Sequence, residues 1–584
     1  MLPDYATYDE AVGLDWYGVD PNLRFTLDRL LPDAADRALA EELVGEYGPL
    51  VGGPIARRAE VTDKHGPELQ RWDHWGKEAD HVVHHPTWLE NKADLVRHDY
   101  TSLHKRARRQ VPGVVTAAIN YLVCQAETAL VCAMGMTTGA ADVVARYAPE
   151  SVRADIVGRL TSTDPDAAWE GGMFLTERQG GSDVGANTTT AVQDGDEWRL
   201  VGEKFFCSNI DAEVFIVLAR PEGAPPGARG LGTFIVPRIL PDGSPNGFHM
   251  RRLKPKMGTV GVPTGEVVLD GAKAWLAGSS SQSATGDAAR DGRGINRMME
   301  MVNGSRFGVA VMGLGIHRRS FLEAAIYAAH REQWGQRIDR YPLVRETLVD
   351  LLVELEAGMA ITFECAAVGR GPIDEEEARL LRRILIPLAK MRACRVAVGA
   401  ASTALEVFGG NGYMEDWPMA RQFRDAQCHP IWEGTENIIC LDVRRAMRGE
   451  GAHEALLARV ERSLHAAAAH EVLARPADAV AAGLKEAREA IAYLDGAADD
   501  LQLLHARRLA ELLADVAEGA LLLDEAAWSL ERDGDARKAV VARRFARRHL
   551  ETPPVRGIVD PDRTPLDLFD EVVRYGSVDA AAVA

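Results

Sequence analysis

The residue best placed in this sequence to do chemistry is a carboxylate between a tryptophan and a glycine, Trp432-Glu433-Gly434. An aromatic neighbour desolvates a carboxyl and strengthens it as a base, and the glycine leaves room for a substrate. Such a base can remove a weakly acidic C–H proton. It follows Phe408-Gly-Gly-Asn-Gly-Tyr413 and then Arg421, Arg424 and Asp425, and it sits inside Ile431-Trp-Glu-Gly-Thr-Glu-Asn-Ile438. Glu436 reads as a solvated residue at a helix start, where the helix dipole favours a carboxylate, rather than as a second acid of a catalytic pair.

Three other segments have chemical potential. In Met173-Phe-Leu-Thr-Glu-Arg-Gln-Gly-Gly-Ser-Asp-Val184 an apolar strand opens into a turn of small residues, Gly180, Gly181 and Ser182. There backbone N–H groups can approach a phosphate or a flat polar ring. Lys204-Phe-Phe-Cys-Ser-Asn209 is a strand whose aromatics and hydroxyl suit a planar cofactor. Arg331-Glu-Gln-Trp-Gly-Gln336 puts a guanidinium before an aromatic and a glycine, a combination suited to a pyrophosphate beside an adenine. Taken singly, each is equally a plain turn or strand core.

The elements that must position these segments show in the hydropathy pattern. From about Leu27 to Ala148 the pattern is helical, and Val114–Met136 is nearly free of charge, as in a helix buried on most sides. Between Trp169 and Leu276 the texture changes to short β-rich runs, Trp198–Val201, Val214–Ala219, Thr233–Val236 and Glu266–Leu269, with Asp194-Gly195 as a hairpin turn. Gly278–Gly294 reads as a long mobile loop. Helices resume at Ile295, where Val344, Leu348, Leu351, Leu355, Met359 and Phe363 form one apolar stripe. A last helical unit spans about Ala452 to Leu550, striped by Leu509, Leu512, Leu513, Val516, Ala520 and Leu523, before a Pro-punctuated tail, Thr552–Ala584. The fold class is therefore mainly α with an inserted β domain, divided at 1–168, 169–277, 278–450 and 451–584.

With 584 residues, 46% of them apolar, the chain is long enough for several packed units. No run of eighteen apolar residues occurs, and Met1–Asp20 is acidic rather than basic and then apolar, so neither a membrane span nor a secretory signal is expected. Seven scattered cysteines without a CxxC pair fit a reducing compartment, and the expected localisation is cytoplasmic. A net charge of −19 argues against a nucleic-acid protein, and the basic cluster from Arg537 to His549 reads as a solvated helix face. The histidines His74, His81, His84 and His85 come without a ligand set, so no metal is expected.

Together, in this order and spacing, the four segments resemble the acyl-CoA dehydrogenase family over roughly Arg108 to Arg448. The resemblance implies an N-terminal α domain, a middle β domain and a C-terminal four-helix bundle, with FAD as cofactor. It implies that Met173, Leu175, Thr176, Gly181 and Ser182 hold the flavin and that Ser182 also borders the substrate. Phe206 and Ser208 match positions against the flavin ring. Arg331, Gln333 and Trp334 resemble a segment that reaches across a subunit interface to the dinucleotide, with Glu406, Gly409 and Gly410 in the same contact. Oligomerisation, as a homotetramer or dimer, is thereby implied. Thr435 and Asn437 match further flavin positions, and Arg306, with Glu433 and Gly434, falls beside the substrate. Two departures from the family pattern stand out: Glu406 replaces a common glutamine, and Arg178-Gln179 a common Pro-Gly.

The C-terminal unit beyond the family core, the Glu-Arg-Gln-Gly-Gly-Ser-Asp turn, His84-His-Pro-Thr-Trp88 and Ile439-Cys-Leu-Asp-Val443 resemble the AidB-type branch. The expectation is α,β-dehydrogenation of an acyl-CoA, as in fatty acid metabolism, with Glu433 as base and an electron-transfer flavoprotein as acceptor. The alternative is an AidB-type flavoprotein of alkylation or stress response with weak turnover. DNA contact is possible in that branch but not favoured, because the segment from Gly451 onward carries more acid than base. An oxidase or monooxygenase on the same fold is a third reading.

Overall fold

A computed structural model describes residues 3–278, 291–369, 373–552 and 562–583. Most of the loop expected at Gly278–Gly294 lies outside the described residues, as does part of the tail after Thr552. The packing forms two units: Met1–Ala56, Pro112–Ala126 and Val309–Ala584 make one, and Arg57–Val111 with Glu127–Gly308 make the other.

The second unit holds the strands. A hairpin of β1 (Glu68–Trp72) and β2 (Glu78–Val83) precedes a sheet of β3 (Gly171–Phe174), β4 (Thr190–Asp194), β5 (Glu197–Ser208), β6 (Val214–Pro221), β7 (Gly232–Pro237), β8 (Phe248–Leu253) and β9 (Thr264–Leu276). The path runs β3-β6-β4-β5-β9-β7, β8 flanks β9, and β6 also pairs with β7, which closes the strands into a barrel. The expected turn at Asp194-Gly195 joins β4 to β5, with Asp194 opposite Glu197 and Gly195 at φ 64°. Phe174, Phe215 and Phe248 stack inside at centroid distances of 4.6 and 4.7 Å, each contact worth about 0.5–1.5 kcal/mol beyond its burial. The outer side of β3, β6 and β7 packs on the helices Thr128–Tyr147 and Glu150–Leu160 through Val144, Leu160, Ile216 and Ile235. Thr128–Tyr147 has the length and composition of a membrane span, but 67% of its apolar window is buried within the protein.

The β1–β2 hairpin is a departure from the helical pattern expected from about Leu27 to Ala148. Its strands are mostly polar and exposed or half-buried, with Val82 alone buried, so they carry no apolar run to mark them.

The first unit is helical. Pro342–Ala367 starts with proline at its first position, and its predicted stripe is buried from Leu348 onward. Glu375–Val407 is capped by Asp374, whose carboxylate accepts from Glu377 N at 2.8 Å, with three glutamates in its first turn. A Cβ on Gly313 would lie 2.8 Å from Ala393 O, so the close approach of Gly294–His330 to Glu375–Val407 requires glycine. Beyond Pro418–Ala426 and Glu436–Glu450 come Ala452–Ala467, Ala474–Asp495, Asp499–Asp533 and Arg537–His549. The tail is partly helical, Thr564–Asp567 and Phe569–Val573, and Tyr5 Oη donates to Val573 O at 3.1 Å.

The basic cluster on Arg537–His549 is not a solvated face. Arg537 and Lys538 are buried, and both reach Glu356, at 2.5 and 2.7 Å, while Lys538 also reaches Glu525 at 2.6 Å. Burial raises the Glu356 pKa, but the two cations outweigh it and hold the carboxyl at about 2. Acids buried on neighbouring helices need these bases inside, which removes the cluster's leading cations from any DNA surface.

Candidate functional site

In the strand unit, β3 delivers Met173, buried, and then Leu175 and Thr176, half-buried, into the small-residue turn. The turn closes on Glu177: Gly180 N donates to Glu177 O at 3.0 Å, and Gly180 has φ 120°. A Cβ on Gly181 would meet Thr176 Oγ1 at 2.4 Å, so a larger residue there would have to push the Thr176 hydroxyl aside, and Ser182 is exposed beside it. The anchor is a buried ion pair whose two residues no spacing rule links, Lys204 Nζ to Glu177 Oε1 at 2.8 Å. Glu177 also accepts from Thr188 N at 2.6 Å and Thr189 N at 3.1 Å. Burial raises its pKa, but Lys204 and these donors overcome that and bring it down to about 2.

Lys204 lies on β5, so the same strand that anchors the turn presents Phe206 outward, 58% exposed, and Ser208, whose hydroxyl lies 3.1 Å from that of Thr264. Lys254 Nζ sits 3.5 Å from the Phe205 ring centre and 4.7 Å from that of Phe206. The departures from the family pattern have local partners: Arg178 pairs with Glu203 at 3.0 Å, and Gln179 Nε2 donates to Asn187 Oδ1 at 2.9 Å. Arg306 is buried on Gly294–His330.

The helical unit carries the rest. Arg331 precedes a two-residue-strand hairpin, Glu332–Gln333 with Gln336–Arg337, whose turn is Trp334 (φ 49°) and Gly335 (φ 85°). Trp334 is 89% exposed. Glu406 is exposed at the end of Glu375–Val407, followed by Gly409 (φ 60°) and Gly410, where an added Cβ would meet only open space. Phe408 packs inward on Tyr327, ring centres 4.2 Å apart.

Glu433 is half-buried and takes φ 57°, a left-handed conformation rare outside glycine; Gly434 follows at φ 111°. Lys390, buried on Glu375–Val407, donates to Gly434 O at 2.6 Å and to Pro430 O at 3.3 Å. The loop is thus pinned on both sides of Glu433 by one ammonium. Lys390 lies in Ile386-Pro-Leu-Ala-Lys-Met391, a lone cation on an apolar run, and that was the available sequence signal.

Glu436 opens the next helix, and it is buried rather than solvated: Arg395 reaches one oxygen at 2.6 Å and Arg507 the other at 2.9 Å. Arg507 also bonds the exposed Asn437 through its side-chain oxygen. Arg421 donates to Ala126 O at 2.8 Å and Asp425 lies 3.4 Å from it, so this pair is internal bracing. His429 is fully buried with neither ring nitrogen bonded; burial, then the nearby Lys390 charge, lowers its pKa to about 3.

Of the N-terminal histidines, His84 bonds Asp211 at 2.7 Å, and His85 caps the helix Pro86–Arg97. Glu78, Asp80 and His249 bring potential ligand atoms within 4.8 Å of one another, with His249 already bonded to Glu78 at 3.1 Å.

Four sequence families match in series: the adaptive response protein AidB N-terminal domain at 9–167, the acyl-CoA dehydrogenase middle domain at 172–272, the acyl-CoA dehydrogenase C-terminal domain at 292–448, and an acyl-CoA dehydrogenase 11 C-terminal domain-like family at 452–563. Acyl-CoA dehydrogenase family member 11 of Caenorhabditis elegans is 34% identical over 535 residues, 88% of this chain and 84% of its own. The chain belongs to the acyl-CoA dehydrogenase family. Members of this family are FAD-dependent oxidoreductases. The putative acyl-CoA dehydrogenase AidB of Escherichia coli is 33% identical over 392 residues, 65% of this chain and 69% of its own. The crystal structure of Caenorhabditis elegans ACDH-11 in complex with C11-CoA superposes with a TM-score of 0.85 at 31% identity, covering 93% of each chain. The family fold with an additional C-terminal helical domain is therefore the fold of this chain.

Proposed function

We propose that this protein dehydrogenates an acyl-CoA thioester between Cα and Cβ, with Glu433 as the base. The observation that carries the reading is the strained Glu433 itself, held in a left-handed conformation on a loop pinned by Lys390. Strain of this kind persists where the surroundings over-determine it, and it clusters at functional sites. Gly434 has no side chain to cover the carboxylate.

The residues fit an isoalloxazine and a dinucleotide. The strand unit offers an exposed Phe206 beside the Gly181 turn, and the helical unit offers an exposed Trp334 beside Arg331 and the open backbone at Gly409-Gly410. We assign Met173, Leu175, Thr176, Ser182 and Ser208 to the flavin with the first group, and Gln333, Glu406, Thr435 and Asn437 with the second. FAD bound by these residues would supply the acceptor for the β-hydrogen as hydride. Glu433 takes the α-proton, so the acyl group leaves as the trans-2-enoyl thioester and the carboxylate ends protonated. Arg306 and Gly434 border the substrate in this reading.

The complex of the similar ACDH-11 with C11-CoA supports an acyl-CoA substrate. An electron-transfer flavoprotein as acceptor, a homotetramer or dimer and a cytoplasmic setting belong to the same proposal. A second reading, an AidB-type protein with vestigial turnover, draws on the match of residues 9–167 to the AidB N-terminal domain. Anaerobic titration of the FAD-loaded protein with short, medium, long and branched acyl-CoAs separates the two. Bleaching of the flavin by one class is expected, with Glu433→Gln retaining flavin but not bleaching. Normal bleaching in that variant removes Glu433 as the base, and no bleaching of the wild type by any thioester favours the second reading.

A further inference from the structure

In the strand unit, the helix Pro86–Arg97 carries a column of side chains that none of the chemistry above uses. His84, just before the helix, stacks on Trp88 with ring centres 6.1 Å apart, and Lys92 Nζ lies 5.7 Å from the Trp88 ring centre. Trp88 and Lys92 are four residues apart and so share one helix face. Trp88 is buried, and the column joins the stretch that matches the AidB N-terminal domain to the middle domain.

The column grips the chain on both sides of the Ser208 position. Lys92 pairs with one oxygen of Glu170, whose other oxygen accepts from Asn209 Nδ2 at 3.0 Å, and His84 Nε2 lies 2.7 Å from Asp211 Oδ2. Asn209, directly after Ser208, is buried in a left-handed conformation at φ 55°, and its Nδ2 also donates to Gly171 O at 3.1 Å. The chain leaving β5 therefore turns under side-chain control. On the other side, a Cβ on Gly261 would lie 2.7 Å from Trp88 Cε3, and Ile210 N donates to Pro263 O at 3.4 Å. Thr264 follows, paired with Ser208 across β9 and β5, the two hydroxyls 3.1 Å apart. Burial lowers the Lys92 pKa, but Glu170 and Asp211 outweigh it and raise the value, so the ammonium that holds Glu170 stays charged.

We propose that the His84, Trp88 and Lys92 column positions the Ser208 hydroxyl for the flavin, with Lys92, acting through Glu170 and Asn209, as the principal positioning residue. The inference rests on the reading that Ser208 faces the flavin ring. The column acts through residues 209–211 and 261–263, the two segments that flank the Ser208 and Thr264 hydroxyls. A hydroxyl that hydrogen-bonds a ring nitrogen tunes the cofactor only if it is held to a fraction of an ångström, and neighbours locked by ion pairs supply that precision.

The test uses the full chain and follows FAD affinity, the absorption spectrum and midpoint potential of the bound flavin, and the thermal midpoint of the same preparations. Ser208→Ala shifts spectrum and potential, which fixes the direction that loss of this hydroxyl takes. Lys92→Met strips Glu170 of its cation, shifts the flavin in that same direction and weakens FAD about tenfold. Adding Glu170→Gln removes the orphaned charge while keeping an acceptor for Asn209, and returns FAD affinity to within about threefold of the wild type. Gly261→Ala, which drives a Cβ into Trp88 from the other strand, also moves spectrum and potential in that direction, and it carries the test if Lys92→Met alone does not fold. A column that serves packing alone lowers the thermal midpoint and leaves the potential of the bound flavin unchanged. That result in Lys92→Met, or no rescue by Glu170→Gln, overturns the proposal. A flavin unmoved by Ser208→Ala overturns the Ser208 assignment itself, and this inference with it.

Discussion

Arg507 Nη1 lies 2.9 Å from Glu436 Oε1, which links a helix of the C-terminal addition to the first residue of the helix that follows the Glu433 loop. Arg395 holds the other oxygen of Glu436 at 2.6 Å, and Lys390 holds the Gly434 carbonyl at 2.6 Å. The strained loop is therefore braced from two helices, only one of which belongs to the part of the chain that matches the acyl-CoA dehydrogenase C-terminal domain.

Arg507→Ala leaves a buried carboxylate with one cation and frees Asn437. The expected cost is about 1–3 kcal/mol of stability, the range for a buried charged group that loses a hydrogen-bonding partner, read by chemical denaturation. Flavin reduction by acyl-CoA should slow about tenfold, with Arg507→Lys recovering part of the rate, whereas a purely structural brace would lower stability without changing the reduction rate per bound flavin.

Gly434→Ala tests the loop geometry directly. At φ 111° any side chain is strained, and its Cβ would touch Ile438 and Ile439 at 3.4 Å. The cost is roughly 1–2 kcal/mol, typical of an L-residue forced into the left-handed region. Substrate-induced bleaching should fall at least tenfold while FAD content is retained; an unimpaired variant would mean that this backbone is not part of the site.

Glu177→Gln breaks the buried pair under the small-residue turn. Lys204 is then left buried without its counter-charge, at an expected cost of about 3–5 kcal/mol. The pH dependence has a definite sign. The folded Glu177 carboxyl titrates at about 2 and its ordinary value is 4.5, so the unfolded chain binds the extra proton between them. The pair's stabilisation is present above pH 4.5 and is lost as pH falls towards 2. Denaturation midpoints measured from pH 6 to 2.5 should fall more steeply in the wild type than in the variant.

What could be read from the sequence depended on how local each feature is. The glycine turn, the Phe206 strand and the Trp432-Glu433-Gly434 segment are each contiguous, and their residue types carry their own reasons. The apolar stripe through Leu348 and Met359 has a period that only a buried helix explains. The polar β1–β2 hairpin had neither an apolar run nor an alternation strong enough to mark it. Glu436 misled for a different reason: its two cations come from residues 395 and 507, separations that no spacing rule links. The basic cluster at Arg537 failed in the same way, since Glu356 lies far back in the chain on another helix. Lys204 could be read as part of a strand but not as the counter-ion of Glu177, because that pairing depends on how β5 lies beside the turn.

His429 gives the sharpest stability test, because its ring is fully buried and neither nitrogen has a partner. A buried polar group without hydrogen bonds is a liability, and an apolar replacement of similar shape is expected to be neutral or stabilising. His429→Phe should therefore hold or raise stability by up to about 1 kcal/mol near neutral pH. His429→Ala should lose about 2–3 kcal/mol through the cavity it leaves next to Trp432. Acid adds a second readout. The folded imidazole takes its proton only near pH 3, while the unfolded one takes it near 6.5, so stability drains away as pH falls through that window. His429→Phe removes that contribution, and its stability between pH 6.5 and 4 should decline less than that of the wild type. A wild type whose stability is flat across that range would mean that His429 is not held neutral, and a strongly destabilised His429→Phe would mean that its nitrogens are bonded after all.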